Sequence, residues 1–364
     1  MMPHEDDTIT NLARLLARMP NPAGTTHTTA LEHDLAARFG VRHAVTVSSG
    51  TAALHTALTA LTIGPGDEVL VPALSVVMSV APVVHTAARP VFVDCNPDGT
   101  DLDYDDLTAK VTDATTAILP VHLWGRTGDL PRLAQLATDR GLHLIEDACQ
   151  AQGTRVNGRH AGTIGNVGCF SLKDGKILWS GEGGYLLTDN DDIARRSRAL
   201  RSHWQPSPTG NDPPQLGHNY RLAEPLALIA HANLARFDTL LAHRQHQAQL
   251  LGELLDSVPG IQITNEPNQS WNGYTFLATI TLPDPRAFST RLAHLGVPNS
   301  VGSYQLVPTD QRPAFAAYSG NPCRNAATVI DHTLAVVLTD HDDDRRIADY
   351  AHTIRREANR WRPT

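Results

Sequence analysis

Along the first two-thirds of the chain, short β-rich apolar runs alternate with helix-length stretches. HAVTVSS (43–49) precedes TAALHTALTAL, and DEVLVPA (67–73) follows the turn signal GPG and leads into an apolar stretch from Ser75 to Val84. PVFVDC (90–95), TTAILPVHL (115–123) and HLIEDA (143–148) repeat the strand signature, with a helical PRLAQLATDRG before the last. VGCFSL (167–172) and GYLLTD (184–189) complete the series. Apolar runs of about four to eight residues separated by helices predict βαβ units and a mostly parallel sheet covered on both faces. The loop joining the last two runs is short, so one strand there is expected to be antiparallel. From residue 225, PLALIAHANLARFDTLLAHRQHQAQLLGELLDSV carries Leu, Ile and Ala at three-and-four spacing, which predicts one long helix with a core-facing stripe. A strand (TFLATITL), a Pro- and Gly-rich section (297–323) and an Arg- and Ala-rich terminal helix follow, as expected of a smaller α+β domain.

Composition narrows the class. The 364 residues are 41% hydrophobic and 19% charged, ordinary for a soluble globular chain, and the formal net charge of −8 argues against a nucleic-acid or anionic-membrane binder. From Leu70 to Ala88 no residue is formally charged, but two prolines, two serines, a threonine and a histidine favour a buried strand, a turn and a buried helix over a membrane span. Cysteines 95, 149, 169 and 323 lack metal-type or disulfide-framework spacing, and the acidic N-terminus lacks the build of a signal peptide; both point to the cytoplasm. No metal site is expected. His243 and His246 lie on the long helix without converging ligands, and DHDDDRR (340–346) lacks the glycine and distal glutamate of a calcium loop. That acidic run is expected to form the negative first turn of the last helix. Trp124 and Tyr304 line a pocket or belong to the core.

Three features carry chemistry. Ser48, Ser49, Gly50 and Thr51 sit at a strand-to-helix junction, where first-turn N–H groups either cradle a phosphate or are capped by Ser or Thr. Glu146 and Asp147 end an apolar run, the edge of an open α/β sheet where ligands sit; a carboxylate there is a helix cap, a metal ligand or a partner for a cationic ring nitrogen. Finally, the chain has three lysines, Lys110, Lys173 and Lys176, and two of them share SLKDGKILWSGEGG. A desolvated lysine can lose its proton and form a Schiff base, which arginine cannot; an exposed loop lysine is the plain alternative. Together, the cradle, the carboxylate and the lysine are what pyridoxal 5′-phosphate requires.

The motifs SSGTAALHTAL, GPGDEVLVPALS, RPVFVDCNPD, LPVHLWGR, IEDACQAQGT, GCFSLKDGK, GEGGYLLTD, RALRSHW and HNYRLAEPLA, spread in order over roughly residues 30–240, resemble the DegT/DnrJ/EryC1/StrS family of sugar and cyclitol aminotransferases. The resemblance implies a fold-type-I PLP-dependent transferase: a large α/β domain over 1–240, with an N-terminal arm over 1–30, and a small α+β domain over 241–364. It implies that Lys176 bears the cofactor and acts as general base and acid, that Asp147 partners the pyridinium and that Gln150 lies against the ring. Gly50, Thr51 and Ser171 correspond to phosphate contacts, and Asn219 to an asparagine that reaches the neighbouring subunit's phosphate, which implies a homodimer with a shared active site. Lys173 falls at a variable position, read as structural or on the substrate rim. Val76 stands where the family usually has a stacking aromatic residue, offering an aliphatic wall; Gln152 replaces a common histidine; and LKDG replaces the common loop before the lysine. The implied reaction moves an amino group from glutamate or glutamine to a keto-sugar, often nucleotide-linked, or a keto-cyclitol in secondary metabolism. Two alternatives stay open: a dehydrating or cyclising enzyme of the 3-amino-5-hydroxybenzoate synthase type, and a PLP-binding regulatory protein without turnover. Substrate choice is assigned to loops around 204–217 and 297–323.

Overall fold

The computed structural model describes residues 10, 12–14, 17, 25–203, 216–264 and 269–362. Most of the expected arm and loop residues 204–215 therefore lie outside the described residues.

The large sheet holds seven strands: β1 (His43–Val47), β2 (Glu68–Pro72), β3 (Arg89–Val93), β4 (Thr115–Ile118), β5 (His143–Asp147), and, after the short hairpin β6 (Arg155–Val156) and β7 (Arg159–His160), β8 (Val167–Ser171) and β9 (Gly184–Thr188). Their spatial order is β1-β9-β8-β5-β4-β2-β3. The pairs β8–β5, β5–β4, β4–β2 and β2–β3 are parallel, while β9 runs antiparallel to both β8 and β1. The reversed strand falls where the short connection required it. Regular β4 stops at Ile118, earlier than its apolar run, but pairing continues past it: the Leu119 N–H donates to the Leu70 carbonyl, and Val121 bridges Asp147.

Helices α1 (Thr26–Phe39), α2 (Gly50–Ala60), α3 (Val77–His85), α4 (Tyr104–Ala109), α5 (Leu130–Asp139) and α6 (Asp191–Leu200) belong to this layer system. Most side chains of α2 are buried, consistent with its unbroken Ala/Leu composition. Leu54 and Leu58 are among its fully enclosed residues, each contributing about 1.5–3 kcal/mol by burial. The uncharged 70–88 stretch is β2, a turn and α3; no helix among the described residues is long and apolar enough to cross a membrane.

The expected single helix after residue 225 is two, α7 (Glu224–Ala235) and α8 (Phe237–Leu255), broken at Arg236 (φ −110°, ψ 17°). Asn233 lies one turn before the break. Its amide nitrogen donates to the Trp179 carbonyl, and its oxygen draws the Arg236 guanidinium back at 3.0 and 2.8 Å. Beyond α8, strands β10 (Ile261–Ile263), β12 (Thr275–Ile280) and β13 (Thr333–Val337) make a small antiparallel sheet, while β11 (Gln269–Ser270) pairs with β6. Helices α9 (Pro285–His294), α10 (Arg324–His332) and α11 (Asp344–Arg360) complete the region. The acidic run divides its labour rather than serving α11 alone. Asp343 caps that helix and Asp344 lies in its first turn, but Asp342 accepts hydrogen bonds from Thr339 and Tyr350, and Asp340 faces the cleft described next.

Candidate active site

The C-terminal ends of β1, β2, β5 and β8 open onto one cleft of about 960 Å³. Gly50, Thr51, Val76, Asp147, Gln150, Ser171, Lys173 and Lys176 all line it. Asn219 does not: it is exposed on the segment that bridges to Ser202.

At one end, α2 begins directly after β1. Ser49 is its N-cap, with Oγ accepting from the Ala52 N–H at 3.0 Å, so capping and anion-cradling coexist at this junction. Gly50 is packed so closely that a Cβ would lie 2.8 Å from Cys149 Sγ and 3.0 Å from Ser171 Cβ. Ser171 Oγ accepts from the Lys173 N–H at 3.2 Å and keeps its own proton to donate. A helix N-terminus flanked by Thr51 and Ser171 hydroxyls, floored by a residue without a side chain, fits a phosphate.

At the end of β5 the acidic pair splits into two roles, and both residues are buried rather than solvated. Glu146 is fully enclosed, accepting from His122 Nε2 at 2.9 Å and from the N–H groups of Gly162, Ile164 and Gly165. Burial pushes this carboxyl up, but His122 and those amides outweigh it and hold it below the usual glutamate range. Glu146 is consumed in fixing the 162–165 turn. Asp147 instead presents its carboxylate to the cleft, steadied by Ser79 Oγ at 2.6 Å and the Cys149 N–H at 3.1 Å. The Cys149 thiol is driven well up by burial and by Asp147's charge, which leaves it a poor nucleophile.

Lys176 is half-buried, with Nζ donating to Tyr274 Oη at 3.3 Å. Burial works against its charge, yet Tyr274, Cys149 and Asp147 together raise its pKa above the ordinary lysine value. Desolvation therefore does not by itself supply a neutral amine here. Lys173 is exposed at the cleft rim. Gln152, in place of the expected histidine, is a buried tie: Nε2 donates to the carbonyls of Ser171 and Leu178, and Oε1 accepts the Leu178 N–H.

The opposite wall is aromatic. Trp124 has a left-handed backbone (φ 60°, ψ 16°), held by Gln150 Oε1 on its N–H (2.7 Å), Trp271 Nε1 on its carbonyl (3.0 Å) and Ser300 Oγ on its indole (2.9 Å). It is at once core and pocket wall. From 297–323, Ser300, Tyr304, Leu306, Val307 and Arg312 reach the cleft, with Tyr304 65% exposed. Ser79, Tyr274, Arg244 and Asp340 escaped the sequence reading. Only the unusual DHDDD run hinted at Asp340, and nothing local marks the others. His243 and His246 bond to Gln247 and Asp344.

A family model described as the DegT/DnrJ/EryC1/StrS aminotransferase family matches residues 7–355. The chain is 33% identical over 356 residues to UDP-N-acetyl-3-dehydro-alpha-D-glucosamine 3-aminotransferase of Acidithiobacillus ferrooxidans, covering 97% of this chain and 94% of the relative. It is 36% identical over 307 residues to L-glutamine:2-deoxy-scyllo-inosose aminotransferase of Streptomyces kanamyceticus, covering 79% of this chain and 69% of that one. Among solved structures, S. venezuelae DesV in complex with a ketimine intermediate superposes with a TM-score of 0.87 at 30% identity, covering 98% of this chain and 96% of that one.

Proposed function

The chain belongs to the DegT/DnrJ/EryC1/StrS aminotransferase family, and from that premise we propose that its cleft binds pyridoxal 5′-phosphate and moves an amino group from glutamate or glutamine to a keto-sugar or keto-cyclitol. One observation carries the reading: Gly50 and Thr51, Asp147 and Lys176, far apart in sequence, line a single cleft at the strand ends.

When bound, the cofactor supplies an aldehyde that takes up amines and a ring that draws electrons from the adjoining carbon. Gly50, Thr51 and Ser171 would hold its phosphate. Asp147 would keep the ring nitrogen protonated; with Ser79 donating to it at 2.6 Å, the carboxylate is oriented and stays an acceptor. Val76 offers an aliphatic wall and Gln150 a polar contact, its Oε1 anchored by the Trp124 N–H. Lys176 Nζ accepts and returns the proton that the reacting carbon gives up, the general base and acid of the exchange. Tyr274 keeps that nitrogen oriented between transfers.

Trp124, Tyr304 and Arg312 line the cleft and are the residues we assign to the acceptor; one relative is named for a UDP-sugar and another for a scyllo-inosose, so both acceptor types are to be tried. Asn219, exposed and absent from its own cleft, suits a contact with a second copy's phosphate, so we assign the active species as a homodimer. Borohydride reduction of the cofactor-loaded protein, followed by peptide mass mapping, tests the whole reading. A phosphopyridoxyl group on Lys176, lost when glutamate or glutamine is added first, is the expected result. Label on Lys173, or on neither lysine, overturns it.

A further inference from the structure

Arg244, midway along α8, touches the floor of the cleft yet exposes none of its side chain. Its guanidinium reaches three ways. Nε donates to Asp340 Oδ1 at 2.9 Å, Nη1 donates to the Leu338 carbonyl, and Nη2 donates to the Gly175 carbonyl at 3.2 Å. Gly175 immediately precedes Lys176, and its φ of +84° suits the tight turn there. Asp340 Oδ2 accepts Trp179 Nε1 at 2.7 Å, so the chain on both sides of Lys176 ends on one ion pair.

The same residue also backs the lysine's partner. Gly273 has φ +68°, and a Cβ on it would lie 2.5 Å from the Arg244 carbonyl oxygen. The residue after it is Tyr274, whose hydroxyl receives Lys176 Nζ. Lys176 is thus referenced to Arg244 through the guanidinium, and Tyr274 through the backbone. A buried ion pair is a weak source of stability, because desolvation of both charges offsets their attraction. What a buried arginine offers here is a planar fork that fixes several acceptors at once, which a lysine ammonium at the same place does not reproduce.

We propose that Arg244 is a positioning residue for Lys176: together with Asp340 it fixes the loop on both sides of the lysine, and with it the place of the amine in the cleft, and so governs how fast Lys176 takes up a carbonyl compound. The proposal rests on reading Lys176 as the cofactor-bearing amine. Asp340 and His341 also line the cleft, so the loop after β13 contributes to the pocket wall and to the lysine's placement together.

The experiment uses full-length protein freed of cofactor, as wild type, Arg244→Lys and Asp340→Asn. Two quantities are read, well below each variant's melting temperature. The first is the rate at which added pyridoxal phosphate is captured on Lys176, trapped by borohydride and mapped by mass. The second is the affinity for 4-deoxypyridoxine 5′-phosphate, which lacks the aldehyde and reports the pocket alone. Arg244→Lys is expected to slow capture by about tenfold to a hundredfold, the scale of a misplacement near 1 Å, with affinity for the deoxy compound unchanged. Asp340→Asn is expected to slow capture less, and it decides the matter by the same two readings if Arg244→Lys does not fold. Capture at the wild-type rate in both variants overturns the proposal. So does a parallel loss of deoxypyridoxine phosphate binding, which would make Arg244 a scaffold for the whole pocket. Wild-type label away from Lys176 overturns the functional reading itself and this proposal with it.

Discussion

The two walls of the cleft are built differently. On the lysine side, Gln152 ties Ser171 to Leu178, Asp340 binds the Trp179 indole, and Arg244 binds the Gly175 carbonyl, so the segment is held by side chains both before and after Lys176. On the facing rim, Met78 and Tyr304 are 58% and 65% exposed, and residues 297–323 run largely without regular structure. The contrast separates two demands. A proton shuttle loses rate for every ångström of slack, whereas a surface that selects among acceptors changes with the groups it presents.

Substitutions on the two walls should therefore differ in kind. The largest effect is expected from Lys176→Ala, which removes the proposed general base and acid and should lower turnover by about 10²–10⁴-fold or more, measured as single-turnover amine transfer. Next, Arg244→Met strands Asp340 as an unpaired, mostly buried charge; urea unfolding should show a loss of about 3–5 kcal/mol. If that loss were no larger than for Tyr304→Ala, the contrast between the walls would fail. Ser79→Ala removes a short bond to the Asp147 carboxylate, and kcat should fall by about 1.5–3 kcal/mol in transition-state terms, with little change in KM for the acceptor. Tyr274→Phe acts on pH. The ammonium of Lys176 is raised above the ordinary lysine value in part by Tyr274, and only the unprotonated amine takes up an aldehyde. Removing the hydroxyl should lower that pKa, so the rise of capture rate with pH should move to lower pH. A profile unmoved by the change would show that Tyr274 does not govern the proton. Smallest is Tyr304→Ala on the rim, where KM for different acceptors should shift by about 1 kcal/mol or less while kcat for the best one holds.

The same contrast explains what could be read in advance. The strands along the chain were legible because strands buried on both faces are continuous apolar runs, and Gly50 and Asp147 stand at the ends of such runs, with Lys176 in the loop after another; the order of the strands in the sheet was not legible. Val76 and Gln152 were visible as departures, and the structure gives the glutamine a role of its own in tying the lysine loop. The residues that orient the site were not legible. Arg244 is one arginine on a helix in an arginine-rich chain, and its meaning depends on three acceptors near residues 175, 338 and 340. Tyr274 lies just before a strand of the small sheet, and no local pattern marks a tyrosine that meets a lysine 98 positions away. The break at Arg236 lacked a glycine or proline to announce it, and the contact beside it, from Asn233 to the Trp179 carbonyl, joins residues 54 positions apart.

The reversed strand β9 has a consequence for how the molecule comes into being. It sits between β1 and β8, pairing His43 with Thr188 and Ser171 with Gly184. Residues 43–47, which lead into the N-terminus of α2, thus have no sheet neighbour until residues 184–188 exist to pair with. On an emerging chain, β1 must wait for most of the large domain to be synthesised, and closing so long a loop is slow relative to local pairing. Insertion of β9 is the late event that joins β1 to the rest of the sheet. Truncations that end before residue 184 should therefore leave β1 without a sheet partner, while β8 can still pair with β5.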